Sequence, residues 1–235
     1  MTAGVDKIRI NPGNIGSEDR VKAVADACAN AGVPIRIGVN SGSVEKEILA
    51  KYGSPTPEAM AESAMYHASL LEKFDFNNIV ISIKSSNVQN TVAAYETVAS
   101  MCDYPLHLGV TEAGTFMAGS IKSAVAFGSL LKDGIGDTVR VSLTDDPVKE
   151  VHVAKEILKA LELRKSGATL VSCPTCGRTA IDLIGLANRV EEYIKNMLKS
   201  LCKLGCKKAV LTGISYDKST QGAVFYDSES DTFFS

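Results

Sequence analysis

Cys173-Pro174-Thr175-Cys176-Gly177 is the stretch of this sequence with the most evident chemistry. Two thiols two residues apart can reach one soft metal centre. Pro174 fixes the turn between them, and Gly177 lets the backbone fold back so that amide N–H groups face the sulfurs. The spacing fits three chemistries: a redox dithiol, half of a zinc knuckle, or two ligands of an iron–sulfur cluster. Taken alone, C-P-x-C-G leans slightly toward zinc. A second set of reactive groups lies upstream. Arg9, Arg36, Lys84 and Arg140 each interrupt a short apolar run, and Asn40, Glu112 and Ser142 stand at run ends. A cation inside an apolar strand needs a partner. An anionic ligand, a phosphate above all, would serve several of them at once.

These groups need elements to hold them. Apolar runs at 7–11, 34–40, 79–84, 106–111 and 138–143 are β-branched or leucine-rich and too short for helices, so each predicts a strand. Helical patterns fill the intervals at 18–31, 44–52, 57–73, 88–101, 116–131 and 148–161. Pro57 is placed to open one of them, and Asp145-Asp146-Pro147 to open the last. Strands alternating with helices imply a parallel sheet with right-handed crossovers. Five such units precede Glu162, as an open doubly wound sheet or as part of a β/α barrel. The polar strand ends favour the barrel, whose chemistry gathers at the C-terminal ends of its strands. No G-x-G-x-x-G follows the first strand, which weakens a dinucleotide-binding reading.

After Leu163 the pattern changes. Residues 168–172 predict a strand running into the cysteine turn, and residues 179–201 an amphipathic helix. Residues 216–235 are rich in Ser, Asp and Thr and show no helical period, which predicts a poorly ordered tail. The expected organisation is therefore a first domain over 1–163 and a small second one over 164–235.

Composition bounds the rest. The 235 residues are 45% hydrophobic and 22% charged, enough for a sizeable core. A net charge of −2 gives no reason to expect nucleic acid or an anionic membrane as partner. No apolar run approaches the roughly 18–20 residues of a membrane span, and residues 1–6 lack the features of a signal peptide. A cytoplasmic protein is expected. Its six cysteines then read as buried thiols and metal ligands rather than as a disulfide framework. Cys28 and Cys102 fall at helical core positions. His67, His107 and His152 form no ligand pattern.

The chain resembles the 4-hydroxy-3-methylbut-2-enyl diphosphate synthases, iron–sulfur enzymes of the non-mevalonate isoprenoid pathway. The residues that carry the likeness are Lys7-Ile8-Arg9-Ile10-Asn11-Pro12-Gly13-Asn14-Ile15-Gly16, Arg36-Ile37-Gly38-Val39-Asn40-Ser41-Gly42-Ser43, Ser82-Ile83-Lys84-Ser85-Ser86, Gly109-Val110-Thr111-Glu112-Ala113-Gly114, Arg140-Val141-Ser142-Leu143-Thr144 and the cysteine turn. It runs continuously from about residue 3 to 198. The resemblance implies an α/β fold: a TIM-type β/α barrel, here its last five units, followed by a small α/β iron–sulfur domain.

It also implies an activity, the reductive ring opening and dehydroxylation of 2-C-methyl-D-erythritol 2,4-cyclodiphosphate. The cofactor would be a 4Fe-4S cluster, with Cys173 and Cys176 as ligands, and flavodoxin or ferredoxin would donate electrons. The family works as a homodimer. Arg9, Arg36, Lys84 and Arg140 would neutralise the phosphates, Asn40 and Ser142 would add hydrogen bonds, and Glu112 would handle the proton for hydroxyl loss.

Two departures from the family pattern are expected to matter. The chain starts where the family's fourth barrel strand would be, which would leave sheet edges uncovered. It also lacks a match to the C-x-V-N-G-P-G-E segment that supplies a third cysteine and a glutamate to the cluster. Cys202 and Cys206 are nearby, with different spacing and Lys-rich surroundings. The rival reading keeps zinc: Cys173 and Cys176, completed by Cys202 and Cys206, as a structural site of four thiolates in a non-catalytic protein. A third reading is a β/α phosphate-binding module without metal.

Overall fold

The computed structural model describes residues 4–164, 182–204, 206–215 and 221–234. The chain divides into two compact units, Met1–Leu161 and Glu162–Ser235.

In the first unit the elements are β1 (Ile8–Ile10), α1 (Pro12–Ile15), α2 (Glu18–Ala31), β2 (Ile35–Asn40), α3 (Lys46–Tyr52), α4 (Pro57–Lys73), β3 (Ile79–Lys84), α5 (Val88–Ala99), β4 (His107–Gly109), α6 (Phe116–Lys132), β5 (Thr138–Arg140) and α7 (Pro147–Ala160). Local chemistry sets most helix ends. Thr56 Oγ1 accepts from the Ala59 N–H at 3.2 Å, with Pro57 in the first turn of α4. Asn87 caps α5 through the Asn90 N–H at 3.0 Å, and Asp146 caps α7 through Val148 at 2.9 Å. Gly32 and Gly53 close α2 and α3 in the left-handed conformation, with φ of 65° and 76°. The one-turn α1 was not expected from the sequence, because four residues carry no periodicity.

β1, β2 and β3 pair in parallel, as do β4 and β5, and an Ile81–Leu106 bridge links the two groups. Spatial order thus follows chain order without reversal. A doubly wound sheet reverses at its switch point; this winding is that of a β/α barrel, and the fold is α/β with part of such a barrel.

Register and pleat divide the strands into two faces. Ile35, Ile37, Val39, Ile79, Ile81, Ile83 and Leu108 project one way and are buried against helix residues such as Val21, Ala25, Met60, Ala64, Leu71, Val98 and Phe127. Cys28 lies in this core and Cys102 packs against it. The other face carries Arg9, Arg36, Gly38, Asn40, Val80, Ser82, Lys84, His107, Gly109, Thr138 and Arg140.

The second unit contains α8 (Leu183–Lys203) and an antiparallel meander of β6 (Lys208–Ser215), β7 (Gln221–Asp227) and β8 (Thr232–Phe234). Asp182 caps α8 through the Gly185 N–H at 2.9 Å. Leu198, Ala209 and Tyr226 are buried together, with Ile194 and Cys202 packed around them. The meander corrects the expectation of a poorly ordered tail. The Ser and Asp residues that suggested disorder are concentrated in the 227–231 turn, where Tyr226 Oη donates to Asp231 at 2.9 Å. The flanking residues are β-branched or aromatic and pair, Phe225 with Val210 and Tyr226 with Phe233. The strand expected at 168–172 lies outside the described residues, as do Cys173 and Cys176.

Candidate functional site

On the polar face of the first unit, Arg9, Arg36, Asn40, Lys84, Val110, Thr111, Arg140 and Ser142 line a cavity of about 190 Å³. Four strands and the loops after β4 and β5 each contribute, so residues up to 133 positions apart converge (Arg9 to Ser142). Asn40 and Lys84 are register partners across β2 and β3, and Gly109 and Arg140 across β4 and β5. Two glycines make the approach possible. A Cβ at Gly38 would overlap the Arg9 guanidinium, which lies across β2 and donates to the Gly38 carbonyl at 3.0 Å. A Cβ at Gly109 would stand 3.1 Å from Lys84 Cε and 3.2 Å from the Arg140 carbonyl oxygen.

The cavity is cationic without counter-charge. Among the described residues none of Arg9, Arg36, Lys84 and Arg140 is in an ion pair. Arg36 reaches only the Ser82 hydroxyl, at 3.4 Å. Lys84 is 8% exposed. Burial first, then Arg36, Arg140 and Arg9, pull its pKa down to about 8. Burial and Arg9 also pull Arg36 downward. His107 sits on the same face, its Nδ1 2.7 Å from Thr138 Oγ1, and burial with the surrounding cations brings it to about 4. Four converging cations repel one another, and anionic charge bound among them would relieve that repulsion. The volume lies below the roughly 300–1,000 Å³ of drug-sized pockets and suits a small polyanion.

The structure therefore brings together Arg9, Arg36, Asn40, Lys84, Arg140 and Ser142. Glu112 does not line the cavity. It is exposed, follows Thr111 in the chain, and holds φ at 51°, a left-handed conformation that costs a glutamate on the order of 1 kcal/mol. Thr111 and Val110 line the cavity without having been singled out as ligands; Thr111 was legible as a polar strand end. His107, which the sequence showed only as part of no ligand pattern, is on the polar face; its place in the alternation was the available signal. His67 is elsewhere, its Nε2 2.7 Å from Glu45, whose other oxygen accepts from Ser63 at 2.6 Å.

Cys202 and Cys206 belong to the second unit, and the Cys206 thiol donates to the Leu201 carbonyl at 3.1 Å. Burial and a hydrogen bond with Cys206 push the Cys202 thiol upward. Among the described residues no group of three or more His, Cys, Asp or Glu is arranged to hold a metal, and no helix is long and apolar enough to cross a membrane.

A family model described as the GcpE TIM-barrel domain matches residues 1–155. The chain belongs to this family. Curated relatives named 4-hydroxy-3-methylbut-2-en-1-yl diphosphate synthase (flavodoxin) occur in Fusobacterium nucleatum (62% identical over 86% of this chain), Ruminiclostridium cellulolyticum (58% over 88%) and Geobacillus thermodenitrificans (57% over 88%). The chain spans 58%, 59% and 56% of the length of these relatives. A solved structure, the carboxyl transferase domain of Rhizobium etli pyruvate carboxylase, aligns over 86% of this chain and 36% of its own, with a TM-score of 0.42 and 11% identity. A likeness that distant carries no argument about the site. The GcpE family is thus assigned on sequence, and the cationic cavity lies within the matched residues.

Proposed function

We propose that this chain serves the reaction for which its relatives are named, the reductive ring opening of 2-C-methyl-D-erythritol 2,4-cyclodiphosphate to 4-hydroxy-3-methylbut-2-enyl diphosphate. The observation that carries the proposal is the cavity in which Arg9, Arg36, Lys84 and Arg140 converge without a counter-ion. A cyclic diphosphate supplies the missing charge at two linked phosphates. Arg9, Arg36 and Arg140 offer fork-shaped donors to phosphate oxygens, and Lys84 a point charge between them. Asn40, Thr111 and Ser142 add neutral hydrogen bonds that orient the ring. Glu112, next to Thr111 in the chain but outside the cavity lining, would exchange the proton needed when the hydroxyl leaves as water, as in the family pattern.

In this reading residues 1–163 bind the diphosphate and residues 164–235 hold a 4Fe-4S cluster, with Cys173 and Cys176 as two of its ligands. When bound, the cluster supplies electrons one at a time. Flavodoxin or ferredoxin delivers them, and the protein works in the cytoplasm as a homodimer.

Anaerobic purification followed by iron, sulfide and zinc quantitation tests the cofactor, and calorimetric titration with the cyclic diphosphate tests the cavity. Near-stoichiometric iron and sulfide, with binding weakened about tenfold to a hundredfold by Lys84→Ala, are the expected results. One zinc per chain without sulfide would replace the redox reading with the structural zinc site. Diphosphate binding that persists in Cys173→Ala, in a protein without metal, would leave only the phosphate-binding module.

A further inference from the structure

The sheet is interrupted between β3 and β4, and a side chain fills the interruption. The parallel bridge pairs Ile81 with Leu106, and the Ile81 N–H donates to the Pro105 carbonyl at 2.9 Å. Carried forward in that register, the next rung of a parallel ladder would run from the Ile83 N–H to the His107 carbonyl. That rung is absent. The Ile83 N–H donates instead to Tyr95 Oη at 3.0 Å, and Tyr95 Oη donates to the His107 carbonyl at 2.5 Å. Beyond it the strands meet again in the same register, the Thr111 N–H donating to the Ser85 carbonyl at 3.2 Å. One hydroxyl has replaced one rung, with direct contacts on both sides.

Two hydrogen bonds in series span more distance than one, so the strands stand wider apart at this level than a ladder allows. The same register places Lys84 opposite Gly109, inside the widened interval. Lys84 Cε and Nζ lie over Gly109, where a Cβ would meet them at 3.1 and 3.3 Å. Tyr95 is itself fully buried in α5. Its hydroxyl reaches the sheet between the Ile83 N–H and the His107 carbonyl, with Ser82 and the Gly109 backbone also beside it. Burial holds the phenol neutral by pushing its pKa up, so the group keeps one proton to donate and acts through geometry.

We propose that Tyr95 is a positioning residue for the cationic cavity: its hydroxyl holds β3 and β4 apart where Lys84 crosses Gly109, and so aims the Lys84 ammonium at the bound anion. The proposal rests on the anion-binding reading above. Without the hydroxyl, the Ile83 N–H and the His107 carbonyl have only each other. Direct pairing draws the strands together and displaces Lys84 from its buried path.

The test is calorimetric titration of the 235-residue chain with inorganic pyrophosphate between pH 6.5 and 9.5, for the wild type and Tyr95→Phe. The wild type is expected to bind, with affinity falling above about pH 8, where Lys84 loses its proton. Tyr95→Phe is expected to bind at least tenfold more weakly at pH 7, with the break in its pH profile moved upward as Lys84 regains water. A purely structural role for Tyr95 would lower the melting temperature but leave the affinity of folded molecules and the position of the break unchanged. That result overturns the proposal while leaving the cavity reading intact. Failure of the wild type to bind pyrophosphate overturns both. Should Tyr95→Phe show no cooperative melt, Gly109→Ala narrows the interval from the other strand. A tenfold loss of pyrophosphate affinity supports the proposal, and wild-type affinity overturns it.

Discussion

The two faces of the five-stranded sheet are made by the same strands and obey opposite rules. Toward the helices, Ile35, Ile37, Val39, Ile79, Ile81 and Ile83 are each at most 2% exposed and belong to one apolar core. Toward the interior, apart from Val80 and His107, every second residue is a cation, a small polar residue or a glycine. Strands of a parallel sheet are commonly buried on both faces and read as continuous apolar runs. Here the alternation places most of the apolar burial on one face, with Val80 as the apolar exception on the other. The other gathers charge that the unliganded protein must tolerate. Stability and binding are therefore separable by position, one residue apart along a strand.

That separation can be broken or sharpened by measurement. The largest effect should come from the apolar face. Ile81→Ala removes a fully buried side chain and is expected to cost about 2–5 kcal/mol of stability, read as a lowered denaturation midpoint, while the remaining folded molecules bind pyrophosphate as before. A parallel loss of affinity would show that the faces are coupled. Next is the polar face. Lys84→Ala removes a charge-assisted contact worth roughly 1.5–3 kcal/mol, so pyrophosphate should bind about tenfold to a hundredfold more weakly. Stability should hold or rise, because a source of repulsion is gone. A melting temperature that falls with the affinity would contradict the comparison.

Smaller effects follow from protonation. Lys84 in the free fold has a pKa of about 8, below its ordinary value of 10.5, and a bound anion raises it. Binding should therefore take up protons near pH 8, measurable as a dependence of the calorimetric heat on buffer ionisation. Affinity should decline by at most about tenfold per pH unit above that point. In the free protein the sign for stability is the reverse: between pH 8 and 10.5 the unfolded chain holds the proton that the fold releases, so stability rises with pH.

His107 should give the smallest effect. Its folded value of about 4 lies below the ordinary 6.5. Between these values the unfolded chain binds more protons, and stability falls as pH drops from 6.5 to 4. His107→Gln should flatten that slope in acid denaturation curves.

The first unit was largely legible in its sequence. The bounds of α2 and α4 coincide with their helical patterns because Gly32 stops α2 and Thr56 with Pro57 starts α4. The patterns for β4 and β5 overran, since ladder pairing ends after Gly109 and Arg140 while the apolar runs continue. The second unit was less legible, because turn composition at 227–231 masked the short strands on either side. Among site residues, the cations were visible because charge interrupts an apolar run. Tyr95 was not, since an aromatic residue on a helical core face has no signal of its own.

The sequence by itself determined the order of the strands and longer helices of the first unit, the two-residue alternation that gives the strands a charged face, and the family. These are local or patterned properties, set by side-chain type and spacing. Only the tertiary structure decided that the strands follow one another without reversal, that Gly38 and Gly109 make room for Arg9 and Lys84, and that a tyrosine hydroxyl stands in for a ladder rung. Each of those depends on register between segments far apart in the chain, and register is fixed when the helix layer packs rather than by any one strand.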